Sequence, residues 1–416
     1  MARTVGMDGL TLHRTLALSL CAALTVVACD DDSDVGDAAE SSTGAAGTTT
    51  VGSTTDTTTG DPPSTSGTSE VPTTHAETTN AASSSTGAAD ESSTASDEGS
   101  TSTGGDVEVC APELGLYADA DCSALAEGVQ AYEPAYKLWS DGIVKLRYVD
   151  LPDVIDSSDA DYWTFPVGTV LWKHFETEGG QRLETRRIEK VSDDVGPSAW
   201  LFETFEWNEA GDGVTQVVNG SNNVLNTDHD IPAVADCSEC HNGGQGGMGG
   251  GAATHDAVLG FSALQLNHDG TDVSLESLMD DGMLSQSIAL ADAAIPGSAV
   301  AQEALGTLHA NCGHCHGGDS PSGGMRLYVE LGIDDVTQTA TYIDTVDVDI
   351  GMSPVMGIPD WRILPGDPDS SAVPWRMAQR DGDGMGAAQM PPLATEVVDD
   401  EGLAAVEAWI VSLDPL

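Results

Sequence analysis

Residues 298–316 read SAVAQEALGTLHANCGHCH. Val300, Ala301, Ala304, Leu305 and Leu308 recur at the spacing of one helix face. The predicted helix, Ser298–Ala310, runs straight into Cys312-Gly313-His314-Cys315-His316. The chain closes on a second helical pattern, GLAAVEAWIVSL, after Asp399-Asp400-Glu401. Asp399 is placed to cap it, with acids in its first turn. Leu403, Val406, Trp409, Ile410 and Leu413 form its apolar stripe. Between the helices lies Gln389-Met390-Pro391-Pro392-Leu393.

The chain holds eight cysteines, and each finds a place. Cys237-Ser238-Glu239-Cys240-His241 repeats the pattern of 312–316. C-x-x-C-H is the attachment pattern of c-type haem. Two thiols three positions apart reach the two vinyl groups on one side of a porphyrin, and the next His falls under the iron. Three other readings compete. A redox C-x-x-C opens a helix after a strand, whereas Gly-rich sequence follows both motifs here. A single zinc shared by all four cysteines would join pairs 72 residues apart, each with a His beside it. Coincidence is the third. Cys110 and Cys122 are spaced for a disulfide in an exported protein, the alternative being two free thiols. Cys21 and Cys29 belong to the leader.

Residues 298–416 resemble the small bacterial cytochrome c domains: a helix into C-x-x-C-H, a loop region, a Met-Pro, and a closing helix with an aromatic. The resemblance implies His316 as proximal ligand, Met390 as distal ligand and Trp409 as a structural aromatic. Met390 lies 74 positions after His316, and Met377 and Met385 are rival ligands. Met/His ligation raises the potential relative to two histidines; core packing is the plain alternative for Met390. Arg362, Arg376 and Arg380 are candidates to pair with haem propionates, or simply surface charges. For the first motif His241 is the expected proximal ligand. His255, His268, Met248, Met279 and Met283 are open candidates for the distal one, as is an open iron.

Residues 107–230 read as strands. TVLWKHF (169–175), AWLFETFEWN (199–208), GIVKLRYVDL (142–151) and RLETRRIEKV (182–191) are β-branched and aromatic. Glu178-Gly179-Gly180 and Gly211-Asp212-Gly213 mark turns. The expectation is a β-rich antiparallel sandwich, then a mainly α cytochrome c-like half: a first haem region at 231–297 and a second domain at 298–416. The loop DSSDAD (156–161) is either a cation site or a solvated acidic loop. Eight of the twelve bases beyond residue 106 lie in 137–190: Lys137, Lys145, Arg147, Lys173, Arg182, Arg186, Arg187 and Lys190. They form either a docking patch for an acidic partner or a haem edge, or charges paired with nearby acids.

Arg3 and Arg14 precede an apolar run, Leu16–Ala28. That is the pattern of a secretory signal peptide over 1–28, and at 13 residues it is too short for a spanning helix of about 20. Val26-Val27-Ala28-Cys29 resembles a bacterial lipobox, with Cys29 lipidated; an ordinary secreted protein is the alternative. Residues 29–106 form a Thr/Ser/Gly tether with 15 acids and no Lys or Arg, too polar to fold. As a flexible coil its reach is about 50 Å.

The formal net charge is -54, which excludes a general nucleic-acid binder and adhesion to anionic lipid. The 107–416 body alone carries 52 acids against 12 bases, so a redox partner is expected to be basic. The whole body (YKLWSDG, LWK, ADCSECH, LGFSALQLN, LHANCGHCH, MPPL, AWI) resembles a family of exported dihaem c-type cytochromes, some of which accompany parallel β-helix repeat proteins. The resemblance implies two covalent haem c groups and export, with the body in the periplasm or at the cell surface, and assigns no reaction. The expected function is a membrane-tethered electron carrier. The rivals are a dihaem peroxidase-like enzyme with one open iron, and a ligand-binding β domain with accessory haems.

Overall fold

The computed structural model describes residues 109–244, 252–256, 258–317, 322–351, 353, 355–380, 388–393 and 395–414. The 1–28 leader, Cys29, the tether, Met248 and Met385 lie outside the described residues. All described residues fall in one compact unit, Asp97–Leu416.

The front of this unit is one antiparallel sheet of six strands in sequence order. The strands are β1 Gln130–Tyr132, β2 Val144–Asp150, β3 Val170–Glu176, β4 Arg182–Lys190, β5 Trp200–Trp207 and β6 Val214–Gln216. The four strands expected from β-branched and aromatic patterning are β2 to β5. Turn glycines expected at Gly180 and Gly211 sit at φ 78° and 71°, a region glycine enters without a Cβ clash. They close the β3–β4 and β5–β6 hairpins.

The sandwich expectation is corrected to this single meander, with no second sheet among the described residues. Both faces of the sheet are nonetheless covered. On one face Val170, Trp172, Phe205 and Trp207 meet Leu114, Leu116 and Tyr117 of the preceding segment. That segment is fastened by the Cys110–Cys122 disulfide, with a Cα separation of 5.2 Å. On the other face Val149, Leu171, Ile188 and Phe202 pack with Trp163, Phe261, Leu266 and Leu275. The 258–293 chain, expected to serve the first haem region, thus supplies the second layer that a sandwich would take from another sheet. Val273 and Leu284 seal it with bridges to Tyr132 and Ile155.

Seven α-helices follow among the described residues: α1 Cys237–Cys240, α2 Ala263–Leu266, α3 Leu275–Asp280, α4 Ala299–Asn311, α5 Ala340–Thr345, α6 Ala372–Met377 and α7 Asp400–Ser412. Only α4 and α7, of 13 residues each, exceed six. A mainly α second half is therefore not what the described residues form. The Gly- and Pro-rich sequence between them favours turns over helix propagation.

The two long helices follow the sequence reading closely. Ser298 Oγ accepts the Ala301 N–H at the head of α4, and Asp399 accepts the Gly402 N–H at 3.0 Å at the head of α7. Leu305 and Leu308 pack with Val406, Trp409 and Ile410 in one core. Trp409 is 1% exposed, the structural aromatic expected there. A glycine stands in the middle of α4 because of its neighbour: a Cβ on Gly306 would lie 2.0 Å from the Tyr136 ring.

The 136–141 segment splices sheet to helices. Asn311 accepts the Trp139 N–H at 2.6 Å, and Trp139 Nε1 donates to Val397 O at 2.9 Å. Asp141 accepts the N–H groups of Glu396 and Val397. The YKLWSDG stretch thereby holds both the end of α4 and the loop that leads into α7.

Candidate functional site

The two C-x-x-C-H motifs adopt the same turn. His241 N donates to Cys237 O at 2.9 Å, and His316 N donates to Cys312 O at 2.8 Å. A single helical turn puts thiols i and i+3 on one side and brings the following His beside them. In the first motif this turn is α1; in the second it follows directly on α4, which ends at Asn311, so the helix delivers Cys312.

The motifs also touch. Asn242 Nδ2 donates to His314 O at 3.2 Å and to Glu239 O at 3.3 Å. Cys315 Sγ lies 3.5 Å from Glu239 O. Asn242 is buried and its Oδ1 accepts the Gly244 N–H, so it acts as a clamp between the turns. Nothing in the sequence marked Asn242; a residue just past a motif carries no pattern of its own.

All four motif cysteines are unbonded. Burial pushes the Cys312 and Cys315 thiols up to about 12. Burial also raises Cys237 and Cys240, against the nearby charge of Arg186. A redox C-x-x-C works through a depressed thiol pKa, so this donor set is not poised for thiol exchange. Among the described residues no three His, Cys, Asp or Glu side chains converge as a metal-ion site.

A cavity of about 520 Å³ opens beside the first motif. That lies in the range of about 300–1,000 Å³ for ligand pockets. Cys237, Cys240 and His241 line it, with His314 from the second motif, and the sheet supplies Leu171, Lys173, Arg186, Ile188 and Phe202. Along one wall four rings follow one another: His255 stacks on Tyr162 at 4.0 Å, Tyr162 stacks on Tyr328 at 5.3 Å, and His309 lies tilted against Tyr328 at 4.5 Å. Phe202 sits 5.3 Å from the His241 ring. His314 Nδ1 is buried without a hydrogen-bond partner, an orphan that a bound group would normally satisfy.

The candidates for a distal ligand at the first motif separate clearly. His255 lines the cavity. His268 Nε2 instead lies 2.6 Å from Glu133 O. Met279 and Met283 pack against the sheet's core. Met248 lies outside the described residues. At the second motif Met377 is 9% exposed in the α4–α7 core, committed to packing. Met390 N donates to Arg376 O at 3.1 Å, and the next residue, Pro391, lines the cavity wall. Leu327 N donates to His316 O at 2.6 Å, closing the loop over the second motif.

The three late arginines are tied to backbone. Arg362 donates to the carbonyls of Gly323, Gly324 and Asp344. Arg376 donates to Ala388 O. Arg380 donates to the carbonyls of Met377 and Val397. The Asp156–Asp161 loop is satisfied internally: Asp156 accepts from Ser158 and Ser285, Asp159 from Asp161 and Tyr162, and Asp161 from Leu331.

Comparison of the chain with protein-family models, curated proteins and solved structures gives no match. No described helix is long and apolar enough to cross a membrane.

Proposed function

We propose that the protein is a dihaem c-type cytochrome, tethered to a membrane through Cys29 and carrying electrons outside the cytoplasm. The observation that carries this reading is the pair of identical C-x-x-C-H turns held in contact by Asn242 at the edge of a ligand-sized cavity. In this reading Cys237 and Cys240 hold one porphyrin, with His241 on its iron. Cys312 and Cys315 hold the other, with His316 and Met390 on its iron. Bound haem supplies one-electron chemistry, and the protein sets its potential through ligands, burial and nearby charge.

The chain's own contributions follow from placement. The Asn242 clamp fixes the two attachment turns relative to each other, which a carrier with two centres needs for transfer between them. The aromatic part of the cavity's wall, Tyr162, Tyr328 and Phe202, would shield the first centre on that side. His255 is the distal ligand proposed for that centre, because among the described candidates it is the one that lines the cavity. The Cys110–Cys122 disulfide fits an oxidising compartment, consistent with export. The cytochrome c-like arrangement of the second centre rests on the packing of α4 against α7 around Trp409.

The deciding experiment is a pyridine haemochrome assay with intact-mass measurement on protein expressed alongside haem-maturation machinery. Two covalent haems per chain support the proposal. No haem refutes it, and one haem confined to 312–316 refutes the dihaem form.

A further inference from the structure

The sheet face toward the cavity carries a row of cations. Arg147 pairs with Lys173 across β2–β3, and Lys173 pairs with Arg186 across β3–β4. In an antiparallel sheet directly opposed residues project to one face a few ångströms apart, and like charges so placed are destabilising. All three line the cavity.

Arg186 is neutralised by a two-pronged pair with Glu184, at 2.6 and 3.0 Å. The other two are not. Arg147 is 6% exposed, and its guanidinium makes one 3.5 Å contact, to Lys145 O. Lys173 is half-buried over the Phe175 ring at 4.9 Å, and among the described residues no carboxylate lies within salt-bridge distance of it or of Arg147. Three of the seven carboxylates that line the cavity are committed elsewhere: Asp256 to Lys190, Glu203 to Arg187, and Asp161 to the Leu331 N–H. Burial and its cationic neighbours together drive the Lys173 ammonium well below the usual lysine range. A buried charge left alone costs several kcal/mol, of order 3–5 when a partner is removed. An anion with two negative groups would offset the repulsion in this row and hold both side chains charged.

We propose that Arg147 and Lys173 are the seat of the two propionate carboxylates of the haem attached at Cys237 and Cys240. The proposal rests on the haem reading above. It places the porphyrin's carboxylate edge on the sheet and its thioether edge on α1, across one cavity. Arg147 offers a fork matched to a carboxylate, and Lys173 a point charge beside it. The basic cluster of the front strands is then an internal counter-charge rather than an external docking patch.

The test uses the full-length, haem-loaded protein. Potentiometric titration followed by visible spectra compares wild type with Lys173→Met, Arg147→Gln, the conservative Lys173→Arg, and Lys137→Met as an exposed control. A cation beside a haem disfavours the ferric form, so removing it lowers the potential. Lys173→Met and Arg147→Gln are expected to shift the ferric-to-ferrous ratio of one haem about tenfold toward ferric at a fixed ambient potential. That corresponds to about 59 mV for a one-electron couple. Lys173→Arg restores the wild-type ratio and Lys137→Met leaves it unchanged. A parallel calorimetric titration with sodium succinate asks whether the row takes a free carboxylate instead. No heat of binding is expected, because the seat is filled. Two haems per chain with unmoved potentials overturn the proposal alone. So does succinate binding to wild type that is lost in Lys173→Met. A chain without haem at 237–241 overturns the haem reading itself, and is recognised beforehand by haem content.

Discussion

Lys190 and Asp256 form a fully buried ion pair that fastens the His255 segment to the end of β4, an inner strand of the sheet. Lys190 is 1% exposed and Asp256 is 5% exposed. Asp256 also accepts the Phe165 N–H at 2.8 Å and the Trp200 Nε1–H at 3.1 Å, and Lys190 donates to Asp194 O at 2.7 Å. Lys190→Met keeps most of the stem's packing but strands a carboxylate in the core. The loss is expected to be about 3–5 kcal/mol, the cost of breaking a buried pair from one side. Much of the roughly 5–15 kcal/mol typical of a folded domain would go with it. Lys190→Met combined with Asp256→Asn removes both charges, and the amide oxygen keeps one of the two donors, Phe165 N–H and Trp200 Nε1–H, which sit on different carboxylate oxygens. The double variant should therefore recover about 2 kcal/mol or more, a coupling well above the additive limit of about 0.5. Guanidinium unfolding followed by the emission of the eight tryptophans measures each ΔG. A Lys190→Met loss under about 1 kcal/mol, or a double variant whose losses simply add, would refute the reasoning.

Other outcomes follow from single sites. Gly306→Ala gains about 1 kcal/mol of helix propensity but drives a methyl into the Tyr136 ring. A net loss of about 1–2 kcal/mol is expected from overpacking, cancelled when Tyr136→Ala is added, by the same unfolding assay. His174 is 1% exposed and burial lowers it to about 4, so the folded chain holds it neutral while the unfolded chain protonates it near its ordinary value of 6.5. Its contribution is present above about pH 6.5 and is lost as pH falls toward 4, on the order of 3 kcal/mol at about 1.36 per pKa unit. Stability difference curves of His174→Gln against wild type from about pH 4 to 8 should have that slope, and a flat difference contradicts it. His255→Ala should convert one ferric haem to a high-spin spectrum that binds cyanide readily; an unchanged low-spin spectrum removes His255 as a ligand. With 52 acids and 12 bases in 107–416, electron transfer to a basic partner should slow steeply between low and physiological salt, and salt-independent rates would argue for a neutral docking face.

Local chemistry made part of this molecule legible in advance. Both long helices were readable because a 3.6 period, a cap and a stripe agree over 13 residues. The four main strands were readable from composition, and the two C-x-x-C-H turns from the repeated spacing of the motif. What escaped was everything decided by pairing across long sequence distances. A sandwich and a meander demand the same alternation in each strand. What fills the second face, here Phe261, Leu266 and Leu275, is not written in the strands. The Asn242 clamp and the YKLWSDG splice escaped for the same reason, since their partners sit 72 and more than 170 positions away.

The cations show how far the local reading reaches and where register takes over. Parity within one strand says that Lys145 and Arg147 share a face, as do Glu184 and Arg186. Parity cannot say whether Lys173 stands opposite Arg147 or one residue off, and a one-residue slip would send it to the other side of the sheet. In the slipped register Lys173 would join Trp172's neighbours and the row would be broken into separately solvated charges, the bland expectation for a basic strand. In the observed register Arg147, Lys173 and Arg186 lie in line, and only Arg186 has its carboxylate. A sheet specified by its hydrophobic pattern tolerates such a line only if something offsets the repulsion. Among the described residues no carboxylate makes an ion pair with Arg147 or Lys173. The proposed source of the offsetting charge is outside the polypeptide, so Arg147 and Lys173, which the sequence left open between a docking patch, a haem edge and charges paired with acids, point to a dicarboxylate guest.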